Sequence, residues 1–190
     1  MTPILMTGPV AEPLSLDEAR AWLRLDTHAE DDLVTSLVRA ARSAIEQATR
    51  RALMAQSWRL RLDRWPPNGI VNVPLAPVFA IEAVRVFDAA GVAIPLALGG
   101  FRLDQSFGTR IFCDTPPPAP GRLYGGIEID LTAGYGASAA AVPEPLRQAM
   151  RLLVAFWFEH RGDALHDNAV PHLPAAVAAL VVPFRSARLG

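Results

Sequence analysis

The chain of 190 residues contains no lysine, and all 18 of its cationic side chains are arginine. It has a single cysteine, Cys113, which excludes an internal disulfide framework and a cysteine-rich metal site. Its formal net charge is -1, so it lacks the overall basic footprint of a nucleic-acid-binding domain. Without lysine there is no P-loop, and neither G-x-G-x-x-G, G-x-S-x-G nor H-E-x-x-H occurs. The most apolar run, Leu152 to Phe158, falls far short of the roughly 20 residues that span a bilayer, so no membrane partner is expected. The opening MTPILMTGPV has neither the basic start nor the apolar core of a secretory signal, which points to a protein made in the cytoplasm. Charged residues make up 19%, below the usual figure of about 25%. Hydrophobic residues reach 51%, enough for a sizeable core, and the balance suggests apolar surface kept for partners.

What is present falls into three zones. Residues 15–54 read as helical, 56–135 as β with Pro- and Gly-rich connections, and 143–190 as helical again. Ser15 and Glu18 form an S-x-x-E capping box at the start of a first helix, with Leu16, Ala19, Trp22 and Leu23 as its apolar face. A second helix is expected from Glu30 to Leu53. Leu33, Val34, Leu37, Val38, Ala41, Ile45 and Ala48 recur along it at the spacing of one helical face. In "SWRLRLDRW", Trp58, Leu60 and Leu62 alternate with Arg59, Arg61 and Asp63, the period of a half-buried strand. "AIEAVRVFDAAGVAIPL" reads as two strands around a turn at Asp88–Gly91, and "TRIFC" and "GIEIDLTAGYG" as further strands. Helices flank the β zone on both sides, so it reads as an insertion into one helical core. The third helix starts at Pro143–Pro145 and ends near Gly162, with Leu146, Met150, Leu153 and Trp157 on one face. Phe156, Trp157 and Phe158 are consecutive and point about 100° apart, more apolar surface than one neighbour needs. They are expected to pack in the core or against another subunit. A short helix from Pro174 to Val182, stopped by Pro183, leads into an apolar and cationic end.

Candidates for chemistry are few. His160, His166 and His172 lie near Glu159, Asp163 and Asp167 in sequence, but without the spacing of a ligand set. His160 and Arg161 suit the C-terminus of a helix on dipole grounds. The acids Glu30, Asp31 and Asp32, beside His28, stand where a helix N-terminus attracts acids in any case. Trp58, Arg64 and Trp65 read as packing residues, since base stacking fits poorly with the net charge. No catalytic, cofactor-binding or metal residue is nominated.

The ordered set of elements resembles the head–tail connector (adaptor) proteins of long-tailed phages, including those of gene transfer agents. "PLSLDEARAWLRLD" is similar to the family's first helix, and "EDDLVTSLVRAARSAIEQATRRAL" to its long second helix. "QSWRLRLDRWP" with "VPLAPV" matches the first strands and their Pro-bounded link. "IDLTAGYG" before "VPEPLRQAMRLLVAFWFEHR" matches the last strand and third helix, and "LPAAVAALVVPFRSARL" the terminal helix. The region between Asp114 and Gly126 and the link at 162–173 depart from that pattern.

The resemblance implies an α+β fold in a single connector domain over 1–190: a helical core at 15–54 and 143–182 and an inserted antiparallel β region at 56–135. It implies a dodecameric ring of copies beneath a portal protein, with DNA passing through the middle unread, and a stopper or tail-terminator protein on the far side. The expected portal-docking residues are Val182, Pro183, Phe184, Arg185, Arg188 and Leu189. No enzyme activity and no cofactor is implied, and the expected location is the neck of a virion or phage-like particle. The competing readings are another neck component such as the stopper or terminator, a small hydrolase using His160 or His166 with Asp163 or Asp167, and a DNA-binding regulator built on 15–54.

Overall fold

The computed structural model describes residues 3–106, 108–160 and 173–185. It is α+β, and its contacts divide the chain into two compact units, 1–10 with 55–135 and 11–54 with 136–190. Each is built from two separated stretches of sequence.

The first unit holds two antiparallel sheets. The larger has the order β1 (Pro3–Thr7), β2 (Gln56–Leu62), β8 (Ile127–Ala133), β4 (Val78–Phe87) and β5 (Ala93–Leu96). The smaller runs β3 (Ile70–Asn72), β7 (Arg110–Cys113) and β6 (Phe101–Asp104). Side chains alternate between the faces of a strand. Central β8 therefore turns Ile127, Ile129, Leu131 and Ala133 into the core and Glu128, Asp130 and Thr132 to the opposite face. Leu60, Val84 and Val86 join that core from the neighbouring strands, and Val71 and Ile111 are equally buried in the smaller sheet. Each such Leu, Ile or Val contributes about 1.5–3 kcal/mol when fully buried. A β-bulge between Ile81 and Ala83 shifts the register of β4 against β8.

In the second unit, α1 (Leu16–Leu23) begins with the expected capping box: the Ser15 hydroxyl accepts from the Glu18 N–H, and the Glu18 carboxylate accepts from the Ser15 N–H. Of its apolar residues only Ala19 is fully buried, and Trp22 is exposed. This eight-residue helix buries too narrow a stripe to take in the indole. Helix α2 (Asp31–Thr49) buries Val34, Val38, Ala41, Ile45 and Thr49. It ends four residues before the expected Leu53. Arg50 turns left-handed (φ 57°), and the Thr49 hydroxyl donates to the Ile45 carbonyl and accepts from the Arg51 N–H. The chain then folds back, so that the Leu53 N–H reaches the Glu46 carboxylate and Ala52, Leu53 and Met54 become buried. Burying three apolar residues outweighs one further helical turn.

Helix α3 (Glu144–Glu159) starts with Pro145 in its first turn, where the missing N–H has no helical partner to lose. It buries Leu146, Ala149, Met150, Leu153 and Val154. Arg147 ties it to the segment before α1 through the Pro13 carbonyl and to α1 itself through the Glu18 carboxylate. Arg42 of α2 pairs with Glu12 and Glu46. Helix α4 (Ala175–Val181) packs on α3 through Val177 and Val181.

Candidate docking surfaces and the charged sheet face

The end of α4 positions the first half of the expected docking segment. A 3-10 turn, Val182–Phe184, follows directly and is closed by the Arg185 N–H donating to the Val182 carbonyl at 3.1 Å. Pro183 fits this turn because its ring fixes φ and it needs no donor there. The Arg51 side chain, just past α2, donates from Nε to the Phe184 carbonyl at 2.7 Å. A cation thus satisfies the carbonyl of the last residue of this turn. Val182 is 54% exposed, Pro183 and Arg185 are exposed and Phe184 is half-buried. Val182, Pro183 and Arg185 therefore present a contiguous apolar and cationic edge to solvent. Arg188 and Leu189 lie outside the described residues.

The aromatic run of α3 divides two ways. Phe156 is 42% exposed and stacks on His160, with centroids 4.5 Å apart. Trp157 and Phe158 are half-buried. Trp157 therefore does not complete the fully buried face of Leu146, Met150 and Leu153; Ala149 and Val154 take that place. His160 caps the helix: Nδ1 donates to the Phe156 carbonyl at 2.8 Å, and its backbone N–H reaches the same oxygen. Its Nδ1–H and its ring face are both engaged by Phe156 at the helix end. Arg161, Asp163, His166, Asp167 and His172 lie outside the described residues. His28 meets Asp31 at 2.8 Å on an exposed surface, and Arg20 reaches the same carboxylate at 3.3 Å. This closes the turn between α1 and α2. Among the described residues no three His, Cys, Asp or Glu side chains converge to hold a metal ion.

A charged lattice covers the outer face of the larger sheet. Arg59 on β2 reaches both acids of β8, Asp130 at 2.6 Å and Glu128 at 3.1 Å. Arg61 pairs with Glu128 at 3.0 Å, and Arg85 on β4 with Asp130 at 2.6 Å. The Glu128 side chain is only 6% exposed. Burial alone would push the Asp130 carboxyl up, but the hydrogen bonds and charges of Arg59 and Arg85 outweigh it and hold it below the usual carboxylate range. The Asp130 hydrogen bond likewise raises the Arg59 guanidinium against its own burial. Asp130 lies between Arg59 and Arg85, and Glu128 between Arg59 and Arg61, cross-strand pairs that lock the register of three strands. The alternation of Arg59 and Arg61 announced an outward face, but their partners stand about 70 residues away along the chain.

The geometry is that of a scaffold with presented surfaces, and comparison with known proteins places it. The model of the phage gp6-like head-tail connector protein family matches residues 13–87. In the neck of an empty gene transfer agent particle, computed with C6 symmetry, one chain is 38% identical, with a TM-score of 0.83 over 100% of this chain and 97% of that one. The protein belongs to the phage gp6-like head–tail connector family. A second match lies in the virion of a native gene transfer agent particle, at 36% identity and TM-score 0.81. A third, in the neck of a native particle computed with C12 symmetry, shows 35% identity and TM-score 0.80. Both cover 100% of this chain and 97% of theirs. No curated protein sequence matches. No helix of the described residues is long and apolar enough to cross a membrane. As a head–tail connector, the chain has α1, α2 and β2 to β4 inside the family match, and β1, β5 to β8, α3 and α4 in the part carried by the full-length structural likeness.

Proposed function

We propose that this connector joins head to tail in a phage-like particle as a dodecameric ring beneath the portal protein. The observation that carries the reading is the full-length likeness, at 35–38% identity, to chains in the neck and virion of gene transfer agent particles. The twelvefold ring is supported by the neighbour whose neck was computed with C12 symmetry. The chain works as one connector module, with a stopper or tail-terminator protein as its tail-side partner. DNA passes through the ring without being read. A net charge of -1 suits that passage, because many cation–phosphate contacts would hold DNA back in a salt-dependent way. Its role is structural and not enzymatic, consistent with acids that are each neutralised by paired arginines.

The portal is met by the C-terminal segment: Val182, Pro183, Phe184 and Arg185, continuing through Arg188 and Leu189. Its exposed apolar surface supplies contact area, and its arginines supply bidentate hydrogen bonds to portal carboxylates or carbonyls. The Arg51 contact to Phe184 holds the Val182–Phe184 turn in place. Phe156, Trp157 and Phe158 serve packing, with exposed Phe156 turned to a neighbouring subunit. Deleting Pro183 to Gly190 tests the portal contact. The expected result is a folded protein that no longer joins DNA-filled heads; heads that still acquire the truncated protein would overturn the docking assignment.

A further inference from the structure

Arg51 reaches the Phe184 carbonyl from just past the end of α2, so its aim depends on how the chain reverses between α2 and β2. That reversal is not one the backbone makes unaided. Arg50 is left-handed (φ 57°), a conformation that residues with a Cβ adopt rarely. Arg24, left-handed at the end of α1 (φ 56°), is the contrasting case. Its N–H and that of Leu25 donate back to the Ala21 and Arg20 carbonyls, the ordinary backbone closure of a helix. Past Arg50 the bonds go to side chains instead. The Arg51 N–H donates to the Thr49 hydroxyl at 3.2 Å, and the Leu53 N–H donates to the Glu46 carboxylate at 2.8 Å. Two side-chain acceptors thus bracket Arg51, one before it and one after.

Glu46 reaches further than Thr49, since it stands seven residues before the amide that it holds. Its other carboxylate oxygen accepts from the Arg42 guanidinium at 2.9 Å, and Arg42 in turn donates from Nε to Glu12 at 2.7 Å. The pair is largely out of water, with side-chain exposures of 14% for Arg42 and 16% for Glu46. Hydrogen bonds of this charge-assisted kind are short and directional, so the carboxylate is fixed before the chain turns back onto it. Leu53 is fully buried, together with Ala52 and Met54. Without the Glu46 carboxylate, the Leu53 N–H would lose its acceptor inside that apolar cluster. A buried donor with no partner is costly, and the reversal would rearrange to satisfy it. Arg51, two residues earlier, would move with it.

We infer that Glu46 is a positioning residue for the docking turn: anchored by Arg42, it holds the reversal after α2 through the Leu53 N–H and so aims Arg51 at the Phe184 carbonyl. On the reading that Val182 to Arg185 meet the portal, a carboxylate of α2 then governs that contact through Arg51. The full-length protein is used for the test. Amide exchange, followed residue by residue, reads the Arg185 N–H that closes the turn on the Val182 carbonyl. Glu46→Ala should speed this exchange by about tenfold or more, the scale of one charge-assisted hydrogen bond, with α3 still protected. Glu46→Gln keeps an acceptor oxygen for Leu53 and should restore most of the protection. In an Arg51→Ala background the turn is already released, so Glu46→Ala should add less than about twofold. Effects of the two changes that multiply would overturn the inference, because Glu46 would then act other than through Arg51. Arg185 exchange within about twofold of the unaltered protein in the Glu46→Ala single variant would overturn it as well. If Glu46→Ala also strips the protection of α3, Glu46→Asp decides. Its shorter carboxylate keeps a charge near Arg42 but withdraws from Leu53, and unchanged Arg185 exchange in that folded variant overturns the inference. Attachment to DNA-filled heads lacking this protein separates the two readings. Glu46→Ala and Arg51→Ala should weaken attachment by the same factor. Normal attachment by variants whose turn exchanges faster would overturn the docking reading, whereas a turn that stays protected overturns the positioning role of Glu46.

Discussion

Replacing Glu128 with alanine should destabilise the β unit by about 2 kcal/mol. The carboxylate is almost enclosed, with a side-chain exposure of 6%, and meets Arg59 at 3.1 Å and Arg61 at 3.0 Å. Breaking a fully buried pair removes about 3–5 kcal/mol, because a charge is left uncompensated. Here neither guanidinium is stranded. Arg59 keeps two hydrogen bonds to Asp130, at 2.6 and 3.0 Å, and Arg61, 47% exposed, turns to water. The loss is therefore nearer that of hydrogen bonds to a charged group, about 1.5–3 kcal/mol. For a chain of this size that corresponds to a fall in Tm of roughly 4–8 °C. Urea unfolding followed by tryptophan fluorescence, with Trp58 on β2 as a local reporter, gives the free energy. Arg61→Ala should cost under about 1 kcal/mol, since Glu128 keeps Arg59 and the lost partner is half in water. Glu128→Ala within about 0.5 kcal/mol of the unaltered protein, or less damaging than Arg61→Ala, would refute the reasoning.

Other outcomes follow from the same geometry. Asp130 and Glu18 both have carboxyl pKa values below the ordinary range in the folded protein, Glu18 chiefly through the Ser15 backbone N–H. Their contribution is complete above the unfolded value of about 4 and is lost as pH falls through the lower folded values, so Asp130→Asn should flatten the acid limb of a stability–pH profile. Ser15→Ala removes the cap of α1 and should cost about 1 kcal/mol in a urea titration. Arg51→Ala frees the Phe184 carbonyl. Amide exchange from Val182 to Arg185 should then speed up while α3 stays protected, and unchanged exchange would show that Arg51 does not hold this turn.

Local signals made much of this fold readable. The S-x-x-E box marked the start of α1, Pro145 the start of α3, and the alternation around Leu60 marked β2, because capping and period are short-range properties. What escaped depends on distant partners. β1 has little signal of its own, and it is a strand because Pro3 to Thr7 pair with β2, more than fifty residues later. The charged lattice joins residues of three strands that only the fold brings together. The early stop of α2 reflects burial of Ala52 to Met54, which periodicity does not register. Trp22 and Trp157 fell on apolar faces by spacing, yet Trp22 is exposed and Trp157 half-buried, because spacing gives direction and not the reach of the neighbouring element. In the docking segment, Pro183 announced the helix stop, whereas the Arg51 clamp on Phe184 bridges 133 residues of sequence.

The central claim is that this chain joins head to tail, and removing its gene from the producing strain tests it most directly. Electron microscopy of the lysate should then show DNA-filled heads without tails beside separate finished tails, with tailed particles restored by the gene supplied in trans. Intact tailed particles in its absence would contradict the account.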